Sequence, residues 1–233
     1  LAPTQVGVTV QLPGGQTTQP VACMLEDTKP QIYRVNQPYV RLSGNAAART
    51  ITITGTGFGA GGTLNNSGTV LKSGGVGNSV VGFIVNNSAT IQSDTGILYF
   101  NGGATVAANW IANSPGSIHI ATGIYQNAPG VNIAGSGNFI IASGATYRAV
   151  APQTLPIATE LAPGGLISGD SELTWTGPFT WTGGGMEAVG KTTFASSSAL
   201  NIRNGDSKTL RERTITTAGT VTWNSTQVLS IGA

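Results

Sequence analysis

The feature that most limits what this chain can fold into is a repeat that returns in register. Thr63-Leu-Asn-Asn-Ser-Gly-Thr-Val70 aligns without gaps to Ile84-Val-Asn-Asn-Ser-Ala-Thr-Ile91. Part of the same turn-then-strand pattern returns as Thr217-Ala-Gly-Thr-Val221. Periods of about 20 residues are those of solenoids, in which one short unit stacks on the next. A second pair, Phe139-Ile-Ile-Ala-Ser-Gly-Ala145 and Thr192-Thr-Phe-Ala-Ser-Ser-Ser198, is more widely spaced and is read as two or three coils with insertions.

Local chemistry points the same way. Thr50-Ile-Thr-Ile-Thr54, Ser117-Ile-His-Ile120 and Gly219-Thr-Val-Thr-Trp223 alternate apolar and polar residues, as half-buried strands do. Between such runs sit Asn-Ser-Gly, Ala-Pro-Gly and Ser-Gly-Ala turns, where Gly and Asn accept positive φ at little strain. Strands this short gain stability by stacking coil on coil into a shared core. Asn65-Asn66 under Asn86-Asn87 would then form either an amide ladder or two independent Asn turns. No stretch has 3.6-residue apolar spacing between helix caps. The expected fold is therefore all-β, a parallel β-solenoid (β-helix) with a short N-terminal β cap or strand segment.

Composition narrows the class. Charged residues make up 9% of the chain, yet hydrophobic residues reach 39%, which argues against disorder. No apolar run approaches the roughly 20 residues of a spanning helix. A net charge of +2 without a basic stripe gives no nucleic-acid surface. A single cysteine, Cys23, rules out an intrachain disulfide but is compatible with secretion. The absence of an initiator Met and of a signal peptide is read as a mature, processed or excised form.

Residues 1–45 stand apart, with five prolines, the cysteine and more charge. They are expected to form an N-terminal extended segment or cap, because an open solenoid end exposes strand edges. Residues 46–233 are assigned to the solenoid. Pro152, Pro156 and Pro163 suggest that 151–165 is a Pro-rich loop or a break between two stacks. Val228-Leu-Ser-Ile-Gly-Ala233 reads as an uncapped strand.

Leu173-Thr-Trp-Thr-Gly-Pro-Phe-Thr-Trp-Thr-Gly-Gly-Gly-Met186, with Gly190-Lys-Thr-Thr-Phe194 and Arg213 to Trp223, resembles repeats of large bacterial β-helix surface proteins, the haemagglutinin- and adhesin-like family. The match is in composition and turn pattern, close over 171–233 and loose over 61–150. The resemblance implies export, a cell-surface or extracellular location, and contacts through long repetitive faces. Separately, Arg49 to Gly59 looks like the opening strand of an immunoglobulin-like extracellular module, although no complete module follows.

Chemical motifs are sparse. Gly57-Phe-Gly-Ala-Gly-Gly62 fits G-x-G-x-x-G, but a dinucleotide site needs a helix next, and a turn-rich strand region follows. His119, the one histidine, alternates with Ile118 and Ile120 and should face outward; no nucleophile elbow accompanies it. With one His and one Cys, zinc is not expected, and no cofactor is assigned. Among the nine acids, Asp170 and Glu172 form the one tight pair that glycosidic acid–base chemistry would want, against the plainer reading of a solvated turn. Trp175, Trp181 and Trp223 would stack on sugars if exposed and fill the core if buried. Asn65, Asn86 and Asn224 head formal glycosylation sequons, expected by chance in such a chain.

The expectation is a non-enzymatic extracellular structural or adhesive solenoid, and in its sharper form a filament subunit that associates end to end. In that reading Val6, Val8 and Val10 insert as an added strand, and Val228, Leu229 and Ile231 form the receiving edge. Cell-surface glycans are a further candidate partner. The alternative is a carbohydrate-active or carbohydrate-binding β-helix using Asp170, Glu172 and Trp175.

Overall fold

A computed structural model describes residues 62–232, together with the backbone of two strands, β1 (Gln5–Val8) and β2 (Val21–Met24). These two pair antiparallel, Val6 opposite Cys23 and Val8 opposite Val21. Val10, the Arg49–Gly59 segment and most of the expected cap lie outside the described residues.

The remainder winds along a three-faced course repeated coil after coil. The first coil is β3 (Thr63–Asn66), β4 (Thr69–Lys72) and β5 (Asn78–Val81); the second is β6 (Ile84–Asn87), β7 (Thr90–Ser93) and β8 (Ile97–Phe100). There follow β9 (Ala104–Val106), β10 (Asn109–Ala112), β11 (Ser117–Ile120), then β12 (Gly123–Asn127), β13 (Asn132–Ala134), β14 (Asn138–Ile141). Next come β15 (Ala145–Arg148), β16 (Gln153–Leu155), β17 (Ala158–Leu161), then β18 (Leu166–Ser168), β19 (Leu173–Trp175), β20 (Phe179–Trp181). The last are β21 (Gly184–Met186), β22 (Lys191–Phe194), β23 (Ala199–Arg203), then β24 (Lys208–Arg211), β25 (Thr214–Thr217), β26 (Thr220–Asn224), and β27 (Leu229–Gly232).

Every third strand pairs in parallel, giving a nine-stranded face (β3 to β27), an eight-stranded face (β5 to β26) and a third face made of two four-stranded sheets. The parallel β-solenoid is thus the observed fold, with no helix among the described residues. Coil length is uneven. From Val85 the chain returns in register as early as Ala104, whereas from Gly184 it returns only at Lys208. The Asn-Asn-Ser repeat is a true coil, with Thr63 paired to Ile84 and Thr69 to Thr90. The more widely spaced pair is not, because Phe139 sits on the eight-stranded face and Thr192 on the third face.

Alternation along each strand sends one set of side chains inward, and parallel register stacks like positions into rows. One inner row runs Phe100, Ile120, Ile141, Leu161, Trp181, Ile202. All six are buried, at 4% exposure or less. Each contributes about 1.5–3 kcal/mol by leaving water. Aromatic rings fill the wider coils: Trp175 meets Phe179 edge-on at 4.9 Å, and Phe194 closes the cluster at 5.2 Å from Phe179. The corners demand small residues. At Gly135 (φ +122°) an added Cβ would lie 1.9 Å from the Ala112 carbonyl oxygen, so any side chain there would push two coils apart.

The Pro-rich segment corrects one expectation. It is not a loop thrown outward: it carries β16 and β17 within the stack. Pro152, Pro156 and Pro163 flank those strands at the coil corners, where a missing N–H is tolerated. Continuity of the ladders at this point differs between the faces. The third face is interrupted between β13 and β16, while the other two run through. Pro152 has no N–H to offer at that point. A buried side chain serves the backbone instead: Asn127 Oδ1 accepts from Val150 N (2.8 Å) and Ala151 N (3.1 Å), and its Nδ2 donates to Ala151 O (2.8 Å). Gln153 and Tyr147 complete this plug, the Tyr147 hydroxyl donating to Gln153 Oε1.

Candidate functional site: the open last coil and the outer polar rows

The inner rows end on a coil that nothing described covers. Val221 and Trp223 of β26 sit in register over Leu200 and Ile202, and Ile231 of β27 over Leu210. Their partners Leu200 and Ile202 are 4% exposed, whereas Val221, Trp223 and Ile231 are 44%, 52% and 75% exposed. Of the residues expected to form a receiving edge, two share the last strand. Leu229 and Ile231 lie on β27, and exposed Val228 leads into it. Val221 and Trp223 belong to the same apolar edge, a membership that sequence reasoning missed. The alternation Thr220-Val-Thr-Trp223 carries the signal, but alone it marks only a strand and not its place at the end of the stack. The other half of the expected interface, Val6 and Val8, lies on β1, whose backbone pairs with β2 of the same chain.

Glu172 and Asp170 do not come together with an aromatic platform. Trp175 is fully buried, so it cannot stack on a sugar at the surface. Glu172 forms an ion pair with Lys191 (3.2 Å) and accepts from the Thr193 hydroxyl (2.6 Å). The Thr193 bond, then Lys191, holds its carboxyl below the usual range. Asp170 stands exposed in the preceding turn. Trp181 is buried as well, leaving Trp223 as the exposed member of the three.

His119 faces outward between buried Ile118 and Ile120, as its alternation predicts. Its ring lies 5.9 Å from that of Tyr99 one coil below, and its Nε2 is 3.2 Å from Ser117 Oγ. Partial burial lowers its pKa, and Glu160 opposes that shift. After Gly62 the chain enters β3, so no helix N-terminus stands ready for a pyrophosphate. Among the described residues no group of three His, Cys, Asp or Glu side chains gathers to hold a metal.

The Asn pair is a ladder. Asn66 Nδ2 donates to Asn87 Oδ1 (2.6 Å) in the interior, and Asn86 Nδ2 donates to Asn65 Oδ1 (3.0 Å) outside. On the third face Thr154, Thr174, Thr193 and Thr216 form an outward threonine row through four coils. Sequence reasoning missed that row because its spacing, unlike the Asn repeat, is uneven.

Three cations are enclosed rather than displayed among the described residues, Lys72, Lys208 and Arg213. Lys72 Nζ donates to Gly74 O (3.0 Å) and Ser79 Oγ (3.2 Å). Lys208 is fully buried, with Nζ donating to Asp206 O (3.0 Å) and Thr182 O (3.2 Å); burial lowers its pKa, and Asp206 opposes this. Arg213, 4% exposed, ties three coils at a corner. Its Nε donates to Thr192 Oγ1 (2.7 Å), Nη1 to Gly169 O (2.9 Å), and Nη2 to Lys191 O (3.0 Å) and Ser171 O (3.2 Å). Burial brings its pKa down to about 10, against the pull of Asp170.

Two exposed features stand out among the described residues, the apolar edge of the last coil and the polar outer rows. No protein-family model matches the chain, and neither does any curated protein or solved structure; what is shown is the parallel β-solenoid architecture itself.

Proposed function

We propose that this chain is a non-enzymatic structural or adhesive β-solenoid of the cell surface or extracellular space, which lengthens by end-to-end association with further copies. The observation that carries the reading is the last coil. Its Val221, Trp223 and Ile231 continue buried core rows yet stand exposed, beside a row of parallel strand edges. Such an edge gains apolar burial and backbone pairing from another coil. A head-to-tail contact of that kind repeats without closing and grows a filament. In this reading Val6, Val8 and Val10 belong to the partner's inserting strand. The long outer faces supply adhesive contact, in keeping with the resemblance to adhesin-like repeats. A carbohydrate-active reading has less support, since Trp175 is buried and Glu172 is engaged with Lys191 and Thr193.

The test is sedimentation velocity with negative-stain electron microscopy on the chain, Ile231→Lys, Trp223→Lys and a version lacking residues 1–12. Stacking predicts concentration-dependent assembly that both lysine variants abolish, with β-sheet circular dichroism retained. Loss on truncation as well would assign the inserting strand. A monomeric parent chain, or lysine variants that assemble as well as the parent, would overturn the proposal.

A further inference from the structure

An outer groove lies on the eight-stranded face beside the last coils, with a volume of about 370 Å³, lined by Asn201, Arg203, Asn204, Thr222 and Asn224. The lining spans two coils in register, Asn201 under Thr222 and Arg203 under Asn224. It contains no apolar side chain and no carboxylate.

Its donors are unspent. Arg203 is exposed and has neither an ion pair nor a hydrogen bond among the described residues, whose one ion pair is Lys191 with Glu172. Asn204 Oδ1 accepts from Thr226 N (2.8 Å) and Thr226 Oγ1 (3.3 Å), which leaves its Nδ2 as a donor. Asn201, Thr222 and Asn224 make no side-chain hydrogen bond within the described residues. Nearby Asp206 accepts from its neighbour's Ser207 N and lies outside the lining. A second polar groove contrasts with this one: there the amides of Asn65, Asn66, Asn86 and Asn87 are largely satisfied by one another and by backbone. Arg148 is also exposed, but it stands on the nine-stranded face outside either groove.

We infer that this groove binds an anionic oligosaccharide, with Arg203 receiving a carboxylate of a uronic-acid unit and the amides and Thr222 receiving ring hydroxyls. A guanidinium presents a planar fork that matches a carboxylate through two parallel bonds. Amide and hydroxyl groups donate and accept, as vicinal sugar hydroxyls require. A lining without apolar walls gives a peptide side chain or an acyl chain nothing to bury against. The site is on an outer face and does not depend on end-to-end stacking.

The test is amide chemical-shift titration of the monomeric protein at low salt with a short uronic-acid oligosaccharide. The neutral oligosaccharide of equal length, sodium acetate and inorganic phosphate serve as separate probes. Expected are shifts at residues 201–204 and 222–226 with the acidic oligosaccharide, and affinity reduced about tenfold or more in Arg203→Gln, whose spectrum otherwise stays native. Arg148→Gln removes equal charge elsewhere and should leave affinity within about twofold. Any one of four results would overturn the inference: no shifts at these residues, equal binding of the neutral oligosaccharide, equal losses in both variants, or acetate or phosphate binding as tightly as the oligosaccharide.

Discussion

Replacing Arg213 by Met should unfasten the C-terminal coils by about 3 kcal/mol. The side chain keeps much of its bulk but loses every donor. Three backbone carbonyls, at Gly169, Ser171 and Lys191, lose a partner at 3.2 Å or less. Orphaning each costs about 1–3 kcal/mol, or about 6 kcal/mol for the three at the midpoint. Against this, the charge no longer has to be held away from water, which returns part of that loss. The balance is a net loss of about 3 kcal/mol, at the upper end of the ordinary range for a point substitution. Arg213→Ala adds an unfilled space and should lose about 1–2 kcal/mol more. Because a solenoid is stabilised coil by coil through nearest neighbours, the damage should be local. Urea denaturation followed by circular dichroism gives the size, and amide hydrogen exchange gives the place. Protection should drop in β22 and β25 to β27 and hold in β6 to β12. A Met variant as stable as an ordinary surface substitution, within about 0.5 kcal/mol of the parent, would refute the reasoning. So would a loss spread evenly over all coils.

Two further outcomes follow from the same geometry. Asn87→Ala should lose about 2–3 kcal/mol in urea denaturation, because Asn87 is 3% exposed and bonds both Asn66 and the Ala107 carbonyl. Asn86→Ala, on the solvent side of the ladder, should lose less than about 0.5 kcal/mol. His119 has a folded pKa below its unfolded value of 6.5, so the unfolded chain binds more protons as the pH falls from 6.5 to the folded value, and stability drops over that window. Tyr99 and Glu160 are the titratable groups that face it, and Glu172 loses its own contribution separately, below about pH 4.5. Urea midpoints between about pH 7.5 and 5 should fall in the parent and flatten in His119→Gln; equal slopes would remove His119 as the cause.

How much of this is legible in the sequence depends on the regularity of the rows. The Asn-Asn-Ser repeat yields coil length and register correctly because both copies keep the same spacing and the same face. The inward and outward sides of Ser117 to Ile120 follow from simple alternation. The second repeat misleads because similar small-residue turns occur at more than one corner, and turn chemistry does not say which corner it serves. The prolines at 152, 156 and 163 mislead for a related reason: beside a strand of three or four residues, a corner proline looks like a loop proline. Arg213 and Lys208 cannot be placed from sequence at all. Whether a cation lies inside depends on carbonyls from coils one and two turns back, here Lys191 and Gly169 for Arg213. The groove at Arg203 is invisible in the same way, since Asn201 and Thr222 become neighbours only through stacking.

The interrupted third face gives the solenoid a length scale of its own. Elsewhere up to β26 each coil is tied to the next by three parallel ladders, but between β13 and β16 only two are present, with Asn127 and Gln153 standing in for the missing one. Along a one-dimensional stack the weakest junction is where a crack prefers to stop or to start. Opening that spreads from the Arg213 end should therefore run through the coils of β16 to β27 and slow at Pro152, as a zip slows at a changed tooth. Under tension the same rod would part there into an early and a late segment, each still wound on its own aromatic core.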